Sequence, residues 1–250
     1  MLGKIHYLRT FSFLFNYEEW GNRLLMGSLM FLIPIVGPII NQGWAVETMH
    51  RRIRGEEGLP EMSDFGGLLK TGLTPFLAHL VGSFFISFVL IIMMGITGGL
   101  VVGTMALLHQ FLGDSNLIEI IAGFLAAGLS LLSLVIIMLT LVAFQVSVII
   151  VDVTGDLKSM LDYKLIRRLF KVMVKPIFLG NLVIVMLSTP LVLLGYMACL
   201  VGIYPAIFLS TLAGFELRTQ IYRSYLASGH EPLATVSYID GKPLTLGPAI

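Results

Sequence analysis

The sequence predicts an all-α fold, a polytopic transmembrane helix bundle with about five crossings, and three observations carry that reading. Four long runs, 24–46, 71–113, 120–151 and 176–215, contain no Asp, Glu, Lys or Arg. Each is longer than the roughly 20 apolar residues that cross the ~30 Å hydrocarbon core of a bilayer. Composition agrees: 56% of residues are hydrophobic and 12% charged, with a mean hydropathy of +0.91, whereas about a quarter of residues are charged in soluble domains. Finally, Lys and Arg gather in 47–70, in 152–175 and after Phe215, while the link 114–119 has none. The positive-inside rule places the basic segments in the cytoplasm and the acidic link outside, as for a multi-pass protein of the plasma membrane.

The elements follow in chain order. The N-terminal stretch carries no cleavable signal peptide, and Tyr7, Phe11, Phe13, Phe15, Tyr17 and Trp20 make it an aromatic interface anchor. Run 24–46 reads as a first crossing kinked at Pro34, Gly37 and Pro38. That leaves Lys4, Arg9 and Arg23 outside, a conflict that a re-entrant hairpin would remove. In the loop that follows, Arg51, Arg52 and Arg54 end one helix and acidic residues precede the next, with a turn at Pro60. These residues serve helix-end electrostatics or a partner surface.

Within 71–113, Gly95, Gly99 and Gly103 stand at four-residue spacing, a pattern that lets helix backbones approach closely. Internal packing is the plainer use and homodimerisation the other, and Thr97 to Gly99 also permits a break along the outer interface. Segment 156–175 is a cytoplasmic, interfacial amphipathic helix: Leu161, Leu165, Leu169 and Met173 recur at helical spacing, while Lys158, Lys164, Arg167, Arg168 and Lys171 suit contact with anionic lipid, an elbow that only sets the angle of the next helix being the other use. Run 176–215 exceeds one span and turns near 195–202. Residues 1–228 thus form one transmembrane domain. The tail 229–250 is cytoplasmic, with a short hairpin signal at Asp240 and Gly241, and docks on the loop 47–64 or on a partner.

A faint repeat crosses this order. Pro34, Gly43, Thr48, Arg52 and Gly58 recur at the spacings of Pro205, Gly214, Thr219, Arg223 and Gly229, with Trp44 facing Phe215. Duplicated halves are common in membrane folds.

Chemical motifs are lacking. A net charge of +1 gives no steering toward nucleic acid. The five histidines show no metal-ligand spacing, Cys199 reads as a plain buried thiol, and there is no nucleophile elbow or phosphate-binding glycine loop. Asn41, Gln42, His79, His109, Gln145 and Asn181 are the polar residues of the charge-free runs, suited to interhelical hydrogen bonds. Charge-free spans argue against ion-coupled transport and intramembrane catalysis. The expectation is a non-catalytic membrane component, without cofactor or metal, that packs with a membrane-protein partner or a second copy or organises lipid. A small permease or lipid-handling transporter is the alternative.

Residues 17–20, the run with Pro34, the basic end at 51–55, Gly58-Leu59-Pro60-Glu61-Met62, Gly72 and the late 218–223 segment resemble the bacterial and archaeal multi-pass membrane family called domain of unknown function 4013. Met62 stands where that family usually has tryptophan. The resemblance implies a topology and no substrate or catalytic residue.

Overall fold

The structure, a computed structural model, describes residues 5–56, 58–112, 116–198 and 201–233. Cys199, Asp114 and the hairpin signal at Asp240 lie outside them. The described elements are all helical: α1 Arg9–Ser12, α2 Trp20–Met30, α3 Val36–Arg54, α4 Phe65–Leu112, α5 Asn116–Thr154, α6 Tyr163–Met197 and α7 Ile203–Ala227, with 3₁₀ turns at Leu14–Asn16 and Leu157–Leu161. Three helices are long and apolar enough to cross a membrane, within Phe65–Gln110, Ile120–Thr154 and Tyr163–Met197. The chain forms two compact units, Met1–His79 with Gln145–Ile250, and Leu80–Phe144.

In the first unit, run 24–46 is not a kinked rod. The chain leaves α2 at Phe31, reaches Ile35 at φ 66°, and restarts as α3. Pro34 and Pro38 cannot donate the hydrogen bonds that would continue one helix across this stretch. The two helices lie back to back: a Cβ on Gly37 would strike the Met30 carbonyl, and Asn41 Nδ2 donates to the Gly27 carbonyl at 2.8 Å. Their far ends meet at the turn after α3, where the Pro60 carbonyl accepts from both Arg23 Nη1 (2.7 Å) and Trp44 Nε1 (2.9 Å). The tip of this helical hairpin is apolar and bare, with Leu32, Ile33, Ile35 and Val36 exposed.

The core lies beside the hairpin. Phe13, Leu14, Trp44, Leu59, Met62 and Phe208 belong to one buried cluster, so the Leu-Pro turn is an interior element. Pro60 lies in the loop between α3 and α4 as expected, but it is buried within this unit and not part of its surface. The close backbone crossing falls at Gly43 and Gly72. A Cβ on Gly43 would meet the Leu68 carbonyl, and one on Gly72 the Ile39 carbonyl, so α3 and α4 touch where only glycine fits.

The 156–175 segment is divided. Asp156 caps the 3₁₀ turn through Lys158 N, and Asp162 caps α6, accepting from Lys164 N and Leu165 N at 3.0 and 3.1 Å. Helix α6 then runs unbroken through Pro176 and Pro190, carrying the basic segment directly into the apolar run. Leu169 and Met173 are buried, whereas Lys158, Lys164, Arg167, Arg168 and Lys171 are exposed. Helices α6 and α7 pair closely at their junction, where a Cβ on Gly195 would lie 2.7 Å from the Gly202 carbonyl.

Helix α7 runs past its apolar stretch to Ala227, just before the expected start of the tail, and most of the turns beyond Phe215 are buried. The described start of the tail docks on this helix, not on the 47–64 loop: His230 stacks on Tyr225 at 4.5 Å and Leu233 N donates to the Tyr222 hydroxyl at 3.0 Å.

The second unit is a helical hairpin from the outer parts of α4 and α5. Thr97 and Ser133 share a hydroxyl hydrogen bond of 2.6 Å, and the Phe144 ring lies where a Cβ on Gly82 would point. Helix α4 is continuous through Thr97, Gly98 and Gly99, so no break turns it along an interface.

Candidate functional site

The polar interior of the first unit gathers where α3, α4, α5 and α7 meet. Asp152, between Val151 and Val153 on α5, is fully buried. Arg218 on α7 sets its Nε 3.1 Å from Asp152 Oδ2, with side-chain exposures of 8% and 0%. The contact is ionic without hydrogen-bond alignment: neither carboxylate oxygen of Asp152 nor Arg218 Nε has a hydrogen-bond partner. Arg218 Nη1 instead points at His79 Nε2 of α4, at 3.5 Å the limit of a hydrogen bond, and its guanidinium lies 4.0 Å above the Phe215 ring. Cation–π contact and a counter-ion together hold a charge that burial would otherwise expel.

A second layer flanks this pair. His50 on α3 meets the Asp152 carbonyl at 2.7 Å. Burial disfavours imidazolium there and lowers the pKa to about 4, the Asp152 carbonyl opposing this and Arg54 adding to it. Glu216 binds Arg52 in an ion pair and accepts from Gln220 Nε2 at 2.9 Å. Glu47 pairs with Arg51 at 3.1 Å, and Arg54 pairs with Glu56. The three arginines expected at the end of a helix are thus each engaged with a carboxylate, and Arg52 reaches across to another helix. Among the described residues no group of three or more His, Cys, Asp or Glu side chains could hold a metal ion.

Sequence reasoning placed Asp152 and Arg218 at cytoplasmic ends because each stands just beyond a charge-free run. The legible signal was local: an acid set inside Ile149-Ile-Val-Asp-Val153 has no polar neighbour along the chain, so its partner must come from another element. His79 was singled out for an interhelical contact, and its contact is with Arg218.

Gly95, Gly99 and Gly103 have a different setting. A Cβ at any of them would meet nothing within 4 Å among the described residues, so the close contact expected of them is not made within this hairpin. At about 100° per residue, Thr97 is some 200° round the helix from both Gly95 and Gly99. Thr97 faces Ser133 of α5, which turns the glycine stripe away from its own hairpin partner. Met94, Ile96, Leu100 and Val102 beside it are exposed.

Residues 26–213 match the family described as Protein of unknown function (DUF4013). No curated protein and no solved structure matches the chain.

Proposed function

The chain belongs to the DUF4013 family, and from that premise we propose that it is a non-catalytic membrane component whose hairpin Leu80–Phe144 receives a helix of a protein partner or a second copy. The carrying observation is the open glycine stripe at Gly95, Gly99 and Gly103, directed away from α5, where a Cβ would meet no described atom within 4 Å. A stripe of this kind permits close backbone approach, and van der Waals packing is what drives association in lipid. Helix length supports the same reading. The 48 residues of α4 extend about 72 Å at 1.5 Å per residue, far beyond a ~30 Å hydrocarbon core, so some of its bare apolar surface needs a cover other than acyl chains.

The placement we favour is the plasma membrane, with α4 to α7 crossing and the α2–α3 hairpin re-entering from the cytoplasm. The contacts of Arg23 and Trp44 with Pro60 put the start of α2 beside the turn that follows α3, and the bare tip from Leu32 to Val36 suits acyl chains. This leaves Lys4, Arg9 and Arg23 inside, as the positive-inside rule prefers. The reading gives up the fifth crossing expected of 24–46.

The permease alternative gains from the buried Asp152, Arg218 and His79, since intramembrane ionisable groups mark transport pathways. Gentle purification from native membrane, followed by mass spectrometry of wild type and Gly99→Leu, separates the two. A stoichiometric polypeptide retained by wild type and lost from Gly99→Leu supports partner docking. A small solute retained by both, and lost from Arg218→Met, supports transport.

A further inference from the structure

At the end of the first unit that carries the polar layer, an open cavity of about 540 Å³ is lined by Asn16, Tyr17, Arg52, Glu56 and Arg223 together with two loop glycines. We propose that this cavity binds a phosphate-bearing anion, the headgroup of an anionic phospholipid. The proposal is independent of the partner inferred for the hairpin, which lies in the other unit.

Charge points to an anion. Glu216 behind the cavity neutralises Arg52, and Arg54 neutralises Glu56. Arg223 acts on Glu216 through space, but among the described residues no carboxylate lies within ion-pair distance of it. Among the described residues Arg223 thus meets the cavity beside Arg52 without a carboxylate in ion-pair contact of its own. Guanidinium groups match phosphate oxygens by paired, charge-assisted hydrogen bonds, and the Asn16 amide and Tyr17 hydroxyl can donate as well.

The two cavity arginines also occupy equivalent places in the faint repeat. Thr48 donates to the Trp44 carbonyl at 2.7 Å and Thr219 to that of Phe215 at 2.9 Å, four residues before Arg52 and Arg223 respectively. Six residues beyond the arginines stand Gly58 (φ 93°) and Gly229 (φ 79°). Trp44 and Phe215 share the same core cluster. The repeat-related helices α3 and α7 thus bring their arginines to one cavity. A pair of guanidiniums converging from two helices is suited to one multivalent anion.

Depth decides for lipid as the source. Beside Asn16 and Tyr17, Phe15 and Trp20 form an edge-on aromatic pair with centroids 5.0 Å apart, both exposed at 45% and 41%. Exposed aromatics of this kind settle at the headgroup level, and basic pockets on the cytoplasmic side hold lipid headgroups. The open mouth leaves room for the acyl chains to pass outside.

The test is a titration of the full chain in neutral detergent with short-chain phosphatidylglycerol, with phosphatidylcholine, and with inorganic phosphate, read as the shift in thermal unfolding temperature. Wild type, Arg223→Gln, Asn16→Ala and Lys70→Gln are compared. Lys70 is the control because it is exposed on α4, outside the cavity lining, and carries the same charge. Phosphatidylglycerol should stabilise wild type at concentrations where phosphatidylcholine does not. The half-saturating concentration should rise at least tenfold in Arg223→Gln, less in Asn16→Ala, and hardly in Lys70→Gln. Equal protection by millimolar inorganic phosphate, lost in Arg223→Gln, would keep the anion site and assign it to free phosphate. No preference for phosphatidylglycerol, or equal losses in Arg223→Gln and Lys70→Gln, would overturn the proposal. If Arg223→Gln does not fold, Asn16→Ala decides by the same comparison with Lys70→Gln.

Discussion

At the residue scale, the Asp152–Arg218 pair governs how the interior tolerates change. Removing one member of a buried ion pair strands the other charge and costs about 3–5 kcal/mol, whereas replacing both with apolar groups is near neutral or stabilising. Asp152→Leu and Arg218→Met should each lower the unfolding temperature in detergent sharply, and the double variant should recover most of the loss. A double variant as unstable as the worse single one would mean that the pair has no mutual compensation. His50 gives a pH dependence of definite sign. Its folded pKa of about 4 lies below the ordinary value of 6.5, so the unfolded chain binds the extra proton between them. The stability it contributes is whole above about pH 6.5 and is lost as pH falls toward 4. Unfolding temperature should drop across that window, and less so in His50→Gln. These groups were hard to see in sequence because burial of a charge depends on a partner far along the chain, here 66 positions from Asp152 to Arg218.

At the element scale, the glycines of the chain divide by what faces them. Gly43 and Gly72 sit where α3 and α4 backbones touch, and a side chain at either must displace a carbonyl. Gly99 faces open space. Gly72→Leu should therefore greatly destabilise the isolated protein, while Gly99→Leu should leave its unfolding temperature within a degree or two. Spacing alone favoured the wrong set for internal packing, because four-residue spacing marks a small-residue face without saying what covers it. Gly43 and Gly72 stand in no four-residue glycine spacing that would announce their contact. The break in 24–46 was legible from Pro34 and Pro38. The direction of the chain after it was not, since it depends on Arg23 and Trp44 sharing the Pro60 carbonyl. The end of α7 at Ala227 was legible as well, since the basic segment after Phe215 reads as a helix end that stops before Gly229.

At the scale of the whole molecule, composition and charge-free runs suffice to make this an all-helical membrane protein, because bilayer thickness sets the run length that a span requires. The arrangement of the ends is what the contacts add. His6 N donates to Gln220 Oε1 at 2.9 Å and Arg23 reaches Pro60, which draws the N-terminal stretch, the 55–64 turn and the end of α7 to one side. Single cysteines at Ser12, Ser63 and Ser159 in a Cys199→Ala background should all label from the cytoplasm alone. Ser12 labelling from outside would restore the fifth crossing. The central proposal, that a partner helix covers the glycine stripe of α4, is tested most directly by photo-cross-linking in native membrane. A photoactivatable maleimide is placed at Gly99→Cys and, as the control on another exposed face, at Phe124→Cys, again without Cys199. The stripe at Gly99 should cross-link to one discrete polypeptide, a second copy or another protein, while Phe124 gives lipid adducts. Lipid adducts alone at both positions would contradict it.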